Sequence, residues 1–215
     1  MDWWRIVCCA AAGYLLGSCN GAIVVSHTCM HDDIRKKGSG NAGLTNFLRN
    51  FGGWATLLVV LMDMGKVVLA CLLGRWLLPG NPQLGMMIAG AMTELGHIFP
   101  VFYGFRGGKG VVTTAAMMLL LDWRVFLICF AVFLLVFLKK RMVSLSSITA
   151  AAIYPVVTFC MTYFVDCCVG GLPVLYVVMA TLVAALIGVT VIIKHRANIK
   201  RIRNGTESTI SFKKK

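Results

Sequence analysis

The sequence predicts an all-α protein, a polytopic membrane bundle of seven transmembrane helices with the N-terminus outside and the C-terminus cytoplasmic. Three observations carry this. First, 59% of the 215 residues are hydrophobic and 13% charged, with a mean hydropathy of +0.82. A water-soluble domain of this length carries about 25% charged residues, so soluble, disordered, collagen-like and coiled-coil classes are excluded. Second, a bilayer crossing needs roughly 20 apolar residues, and about 140 positions would fill seven such helices. Third, the net charge of +13, from 21 Lys and Arg against 8 Asp and Glu, sits in short gaps between apolar runs. It is therefore a topology signal, and no nucleic-acid partner is implied.

The apolar segments run over roughly 4–25, 51–73, 84–103, 110–121, 125–138, 148–165 and 172–193. Lipid offers the backbone no hydrogen-bond partners, so these are helices. Lys and Arg prefer cytoplasmic loops. With the N-terminus outside, segments 26–50, 104–109, 139–147 and 194–215 face inward and hold 17 basic residues, against only Arg5, Arg75 and Arg124 outside. The stretch 110–138 admits two readings. One long helix buries Asp122 and Arg124; two short helices turning at Asp122-Trp123-Arg124 fit the charges better. The whole of 1–215 reads as a single membrane-integral domain with a cytoplasmic tail from about 194.

Residues 1–25 lack a basic leader, which argues against a cleavable signal peptide. The nine cysteines include no Cys-x-x-Cys and read as small hydrophobes of a membrane core; the tandem Cys167-Cys168 admits oxidation but does not require it. The terminal Lys213–Lys215 reads as attracted to anionic lipid.

Polar residues crowd the cytoplasmic ends of the spans in four clusters. The first runs from Asp33 to Arg49, where Gly38, Gly40 and Gly43 free the backbone and Ser39, Asn41, Thr45 and Asn46 add hydrogen-bonding side chains. It opens a helix, whose N–H groups and positive dipole end suit a phosphate. An N-capped loop with lipid-facing charges is the ordinary alternative. Gly38-x-Gly40-x-x-Gly43 matches the dinucleotide fingerprint only formally, because that motif needs a preceding strand. His27 and Asp32 have the spacing of the His–Asp acyltransferases but no companion motif.

The second cluster, Gly96 to Gly110, places Gly107, Gly108 and Gly110 around Lys109. Successive N–H groups in such a turn form an anion nest; a helix-breaking turn with one snorkelling lysine is the alternative. Tyr103 and Gly110 stand where a Walker A loop needs Gly and Ser or Thr. Glu94 and His97 share a helix face and either brace this loop or form an isolated pair. The third cluster, Lys139 to Ser147, combines three cations with three hydroxyls. In the fourth, His195 to Glu207, helical spacing puts His195, Asn198 and Arg201 or Ile202 on one side. Within the second span, Asp63 and Lys66 are three apart. Charges there are costly unless paired, so they are expected to neutralise each other and bind this helix to the bundle.

Taken in order, Gly-Ser-Gly-Asn-x-Gly-x-Thr-Asn-x-x-Arg, Gly-His-x-Phe-Pro-x-Phe-x-x-Phe-x-Gly-Gly-Lys-Gly-Val, Ser-Leu-x-Ser and His-Arg-x-Asn-Ile-x-Arg-x-x-x-Gly-Thr-Glu resemble the bacterial acyl-phosphate-dependent glycerol-3-phosphate acyltransferases. The resemblance runs from about Leu16 to Glu207. Ala42, Leu44 and Val67 depart from the family pattern in side-chain volume only, which bears on acyl-chain fit.

The resemblance implies transfer of a fatty acyl group from acyl phosphate to the 1-hydroxyl of sn-glycerol 3-phosphate, at the bacterial cytoplasmic membrane. It also implies that Gly38, Ser39, Gly40, Asn41, Asn46, Gly107, Gly108, Lys109 and Gly110 hold the acyl phosphate, with Lys109 reaching the leaving group. Arg49, Ser144, His195 and Asn198 would grip glycerol 3-phosphate, and Ser39, Lys109, His195 and Asn198 form the catalytic set. Either His195 or a substrate phosphate oxygen takes the hydroxyl proton; Lys194 and Arg196 disfavour a further proton on the imidazole, which favours the substrate. Beyond these two substrates and the bilayer, nothing in the sequence calls for a cofactor, a metal or an obligatory protein partner. Competing classes are a transporter of a small phosphorylated solute, a lipid-binding scaffold, and an acyl-CoA enzyme working through His27 and Asp32.

Overall fold

The structure, a computed structural model, describes residues 3–210; Lys213–Lys215 lie outside that range. The described residues form ten α-helices with two short 3-10 turns and one π-helical segment, and contain no strand. They fall into two compact units, residues 1–121 and 122–215.

The first unit opens with α1 (Trp3–Ser18) and α2 (Gly21–Cys29). The predicted continuous span over 4–25 is instead bent by 40° between these helices. Asn20 causes the break: its extended backbone leaves the helix and its Oδ1 accepts from Ile23 N at 3.1 Å, capping α2. The loop after α2 leads to α3 (Leu44–Phe51) and, through the left-handed Gly52, to α4 (Gly53–Leu77). Asn81 caps α5 (Pro82–Ile98), with Pro82 at the first turn. The second glycine-rich loop follows, and α6 (Val111–Leu121) completes the unit.

Helix α1 packs against α4 and α5, and the seam with α5 is built for close approach. A Cβ on Gly13 would lie 2.4 Å from the Ala89 carbonyl oxygen, and one on Gly17 would lie 2.2 Å from that of Thr93. Thr93 Oγ1 donates to the Gly13 carbonyl across this seam at 3.1 Å. Small residues at helical spacing, closed by a hydroxyl, are how helices associate where lipid supplies no hydrophobic drive. Gly74 on α4 and Gly85 on α5 meet in the same way.

The second unit starts at Asp122, which caps α7 (Trp123–Lys140) by accepting from Arg124 N at 2.9 Å. Two helices, not one, therefore occupy 110–138. After α7 come α8 (Val143–Cys160) with Pro155 inside it, a π-helical segment (Met161–Cys167), and α9 (Val174–Lys194). A one-residue break at His195 precedes α10 (Arg196–Arg203). The Arg124 guanidinium holds Asp122 and Asp166 together, with Nη2 at 2.7 Å from an oxygen of each. Residues 204–210 turn back along the unit, where Ile210 N donates to the Arg141 carbonyl at 2.9 Å.

Among the described residues, four helices are long and apolar enough to cross a membrane, or five if α1 and α2 make one broken span. Helix α6 is shorter, and α7 carries Arg124, Lys139 and Lys140 within its 18 residues. All five tryptophans (Trp3, Trp4, Trp54, Trp76 and Trp123) stand exposed within one residue of a helix end. Amphipathic rings concentrate at the headgroup level of a bilayer.

Candidate functional site

The polar clusters assemble in two groups, one inside each unit. In the first unit, loop 37–43 wraps around Asn46. The Asn46 side-chain amide donates to the carbonyls of Ile34, Lys37 and Asn41 at 3.0–3.3 Å, and its Oδ1 accepts from Ser39 N at 3.0 Å. Gly38 and Gly40 take the positive φ values, +53° and +70°, that this tight path demands. Ser39 is exposed at the tip, Asn41 is half-buried, and Arg49 stands exposed on the last turn of α3.

The second loop lies on the first. Gly108 is buried, with its N–H donating to the His97 carbonyl at 3.1 Å. A Cβ there would come within 2.2 Å of His97 Nε2 and 2.8 Å of the Ala42 carbonyl oxygen. Gly107 is pressed as closely against the His97 carbonyl, and a Cβ on Gly110 would collide with the Glu94 carboxyl. Glycine at 107, 108 and 110 is thus required by close approach, and at 110 also by a φ of +84°. A further link joins the two segments: Arg35 Nη1 donates to the Tyr103 carbonyl at 3.0 Å. The Arg35 guanidinium also grips Asp33 at 2.9 Å and holds that carboxyl well below the usual carboxylate range. Lys109 is half-buried in the loop so formed.

The expected nest of outward N–H groups is in part turned inward. The amides of Ser39, Gly40, Gly43 and Gly108 all donate within the loops, to Asn46 Oδ1 and to the carbonyls of Lys37, Asn41 and His97. Those donors fix loop shape and do not face outward.

A buried polar network lies behind the second loop. Asp63 and Lys66 pair at 2.9 Å. Lys66 Nζ also reaches the carbonyls of Gly17 and Cys19 and the Nδ1 of His97 at 3.0–3.1 Å. Asp63 Oδ1 accepts from Gly21 N at 3.1 Å. Each charge is thereby compensated at the break between α1 and α2, where backbone groups need partners. Glu94 braces the start of α6, accepting from Thr113 Oγ1.

In the second unit, Glu207 gathers the third and fourth clusters. Its Oε1 accepts from Ser144 Oγ and Asn198 Nδ2, and its Oε2 from Arg201 Nε, each at 2.7 Å. Burial raises the pKa of this carboxyl, but the three hydrogen bonds outweigh it and hold the value below the ordinary 4.5. His195, Asn198 and Ser144 are all buried. His195 Nδ1 lies 2.8 Å from the Val191 carbonyl, which places the neutral ring's proton on Nδ1 and the basic lone pair on Nε2. The His27–Asp32 pairing does not form: Asp32 is bound by Lys37 at 2.8 Å, and His27 faces Asp33 at 3.6 Å.

His97, one of the two residues expected to brace the second loop or pair in isolation, seats Gly108. The organising parts of Asn20 and Glu207 were not expected; only Glu207 left a signal, as the last residue of the fourth motif.

The sequence profile of the family described as Glycerol-3-phosphate acyltransferase matches residues 7–205. A glycerol-3-phosphate acyltransferase of Syntrophomonas wolfei is 41% identical over 93% of this chain and 94% of its own length. One of Lactiplantibacillus plantarum is 35% identical over 97% and 93%. Among solved structures, the glycerol 3-phosphate form of PlsY (YgiH), an integral membrane glycerol 3-phosphate acyltransferase, superposes with a TM-score of 0.78 at 33% identity, covering 96% of each chain. Its lysophosphatidic acid form gives 0.77 at 32% identity. With two joined glycine-rich loops, a carboxylate-centred Ser-Asn-Arg group, a family profile over residues 7–205 and relatives matched over more than nine-tenths of both chains, the chain belongs to the glycerol-3-phosphate acyltransferase family.

Proposed function

We propose that this protein transfers a fatty acyl group from acyl phosphate to the 1-hydroxyl of sn-glycerol 3-phosphate, releasing 1-acyl-sn-glycerol 3-phosphate and inorganic phosphate. The observation that carries the reading is the seating of Gly108 between His97 and Ala42, which puts the Ser39 and Lys109 loops side by side. The donor is already activated, so no covalent enzyme intermediate is needed. Rate comes from positioning and from stabilising the charge that develops on the carbonyl and the departing phosphate.

In this reading Ser39, Asn41 and Lys109 hold the acyl phosphate on loops shaped by Gly38, Gly40, Asn46, Gly107, Gly108 and Gly110. Arg49, Ser144, His195 and Asn198 bind glycerol 3-phosphate. The 1-hydroxyl oxygen attacks the acyl carbonyl carbon, the carbon–oxygen bond to phosphate breaks, and the bonding pair leaves with the phosphate. The hydroxyl proton passes to a substrate phosphate oxygen, with His195 Nε2 as the competing acceptor. Seven crossings, the N-terminus outside and the loops on the cytoplasmic side complete the reading, as one membrane-integral domain.

The test is donor choice. Purified protein should release phosphate from palmitoyl phosphate only when glycerol 3-phosphate is present. Acyl-CoA or acyl carrier protein serving better would overturn the assigned donor. Lys109→Ala should abolish turnover, and a near-wild-type rate in His195→Gln would exclude histidine as the essential base.

A further inference from the structure

Asn20 lies more than fifteen residues before the first glycine-rich loop, at a helix break, and is completely buried. Its Oδ1 caps α2. Its Nδ2 donates to the Ala42 carbonyl at 3.2 Å and lies 3.4 Å from His97 Nδ1. These belong to the same two residues between which Gly108 is seated. A single amide therefore touches both walls of the slot that holds the Lys109 loop. Lys66 Nζ lies 3.0 Å and Asp63 Oδ1 3.5 Å from the same ring nitrogen. The ring is thus held at Nδ1 by three polar side chains, while its other nitrogen, Nε2, faces Gly108.

We propose that Asn20 and His97 act together as positioning residues that lock the Ser39 and Lys109 loops into one acyl-donor surface. The proposal rests on the donor reading above and extends it to residues that touch neither substrate. Asn20 sets the tilt of the His97 ring and the place of the Ala42 carbonyl. Together these leave Gly108 one position, and with it Lys109. A shift of about 1 Å in such a loop is enough to cost roughly a hundredfold in rate, so the pair governs handling of the donor while leaving binding of glycerol 3-phosphate alone.

Substitutions can separate the contacts. Asn20→Ser keeps a good helix cap but is too short to reach Ala42 and His97. His97→Gln keeps an amide near the position of Nε2, against Gly108, and removes the Nδ1 contacts. His97→Asn keeps a polar atom near Nδ1 and withdraws from Gly108. With full-length protein in detergent and palmitoyl phosphate as the probe, Asn20→Ser should raise the donor KM or lower kcat roughly ten- to hundredfold. The KM for glycerol 3-phosphate should stay within about twofold. His97→Gln should retain more activity than His97→Asn. The double variant Asn20→Ser with His97→Asn should be little worse than its poorer single, because both act through one contact path.

Equal losses for donor and acceptor, the reverse order of the His97 variants, or a fully additive double variant would each overturn the proposal. If Asn20→Ser does not give a monodisperse folded protein, the order of the two His97 variants decides. Wild-type protein that is inactive with palmitoyl phosphate but active with another donor would instead remove the donor reading itself, so the two failures are told apart.

Discussion

Asn198 donates its side-chain amide to Glu207 Oε1 at 2.7 Å, across nine residues of chain. The same carboxylate receives Ser144 and Arg201, so one acidic side chain sets the orientation of three polar ones. Glu207→Ala leaves these donors facing a gap in a buried setting. The cost is about 1–3 kcal/mol of stability and is expected to be accompanied by loss of turnover. Thermal unfolding in detergent, beside an activity assay, checks both.

The same carboxylate makes a pH prediction. Its folded pKa lies below its ordinary value of 4.5, so the native state binds fewer protons than the unfolded one just below that pH. The stabilisation is fully present above 4.5 and is lost as pH falls through the folded pKa. Wild-type melting temperature should decline on acidification below about 4.5, and Glu207→Gln should flatten that part of the decline.

Gly108→Ala tests the seat of the Lys109 loop. The added methyl would meet His97 Nε2 at 2.2 Å and the Ala42 carbonyl oxygen at 2.8 Å. Overpacking of this kind costs about 1–3 kcal/mol, here as displacement of both loops, so kcat/KM for the acyl donor should fall at least tenfold or so. Gly80→Ala is the control: nothing lies within 4 Å of its Cβ, and activity should not change.

Two glycines within helices should respond in opposite directions. Gly96→Ala places a methyl 2.2 Å from the Tyr14 carbonyl oxygen and should lower the melting temperature by opening the seam between α1 and α5. Gly65→Ala meets nothing within 4 Å and replaces a poor helix former, for a gain of about 0.5–1 kcal/mol.

Topology can be read with thiols. Cys29 and Cys168 are both exposed, and the proposed orientation sends them to opposite sides of the bilayer. In variants retaining one of them, a membrane-impermeant maleimide applied to intact cells should label Cys168, and label Cys29 only after permeabilisation. The reverse pattern would invert the orientation.

What the sequence made legible follows from the range of each interaction. Apolar runs and charge gaps are local, so every predicted segment contains a helix, and the turn at Asp122-Trp123-Arg124 stands where its capping carboxylate puts it. The loops were legible as glycine-rich and polar for the same reason. The bend at Asn20 was not, because an asparagine inside an apolar run looks like any tolerated polar residue until the carbonyl of Ala42 and the ring of His97 are brought to it. The inward turn of the Ser39 and Gly108 amides was equally hidden: glycine spacing reports that a backbone is free to curl, not which way its N–H groups face. Glu207 ends its motif with no local sign of the Ser144 hydroxyl 63 positions earlier.

The meeting of Thr93 with Gly13 has a bearing on biogenesis. The two lie eighty positions apart, so the opening helix has no partner on that flank until the third long hydrophobic stretch has left the ribosome. During that interval Lys66 is inserted before its imidazole neighbour exists. Chains stalled or truncated ahead of residue 98 should therefore be held by the insertion machinery or cleared by membrane proteases, whereas those released beyond residue 121 already carry everything the first unit uses to close.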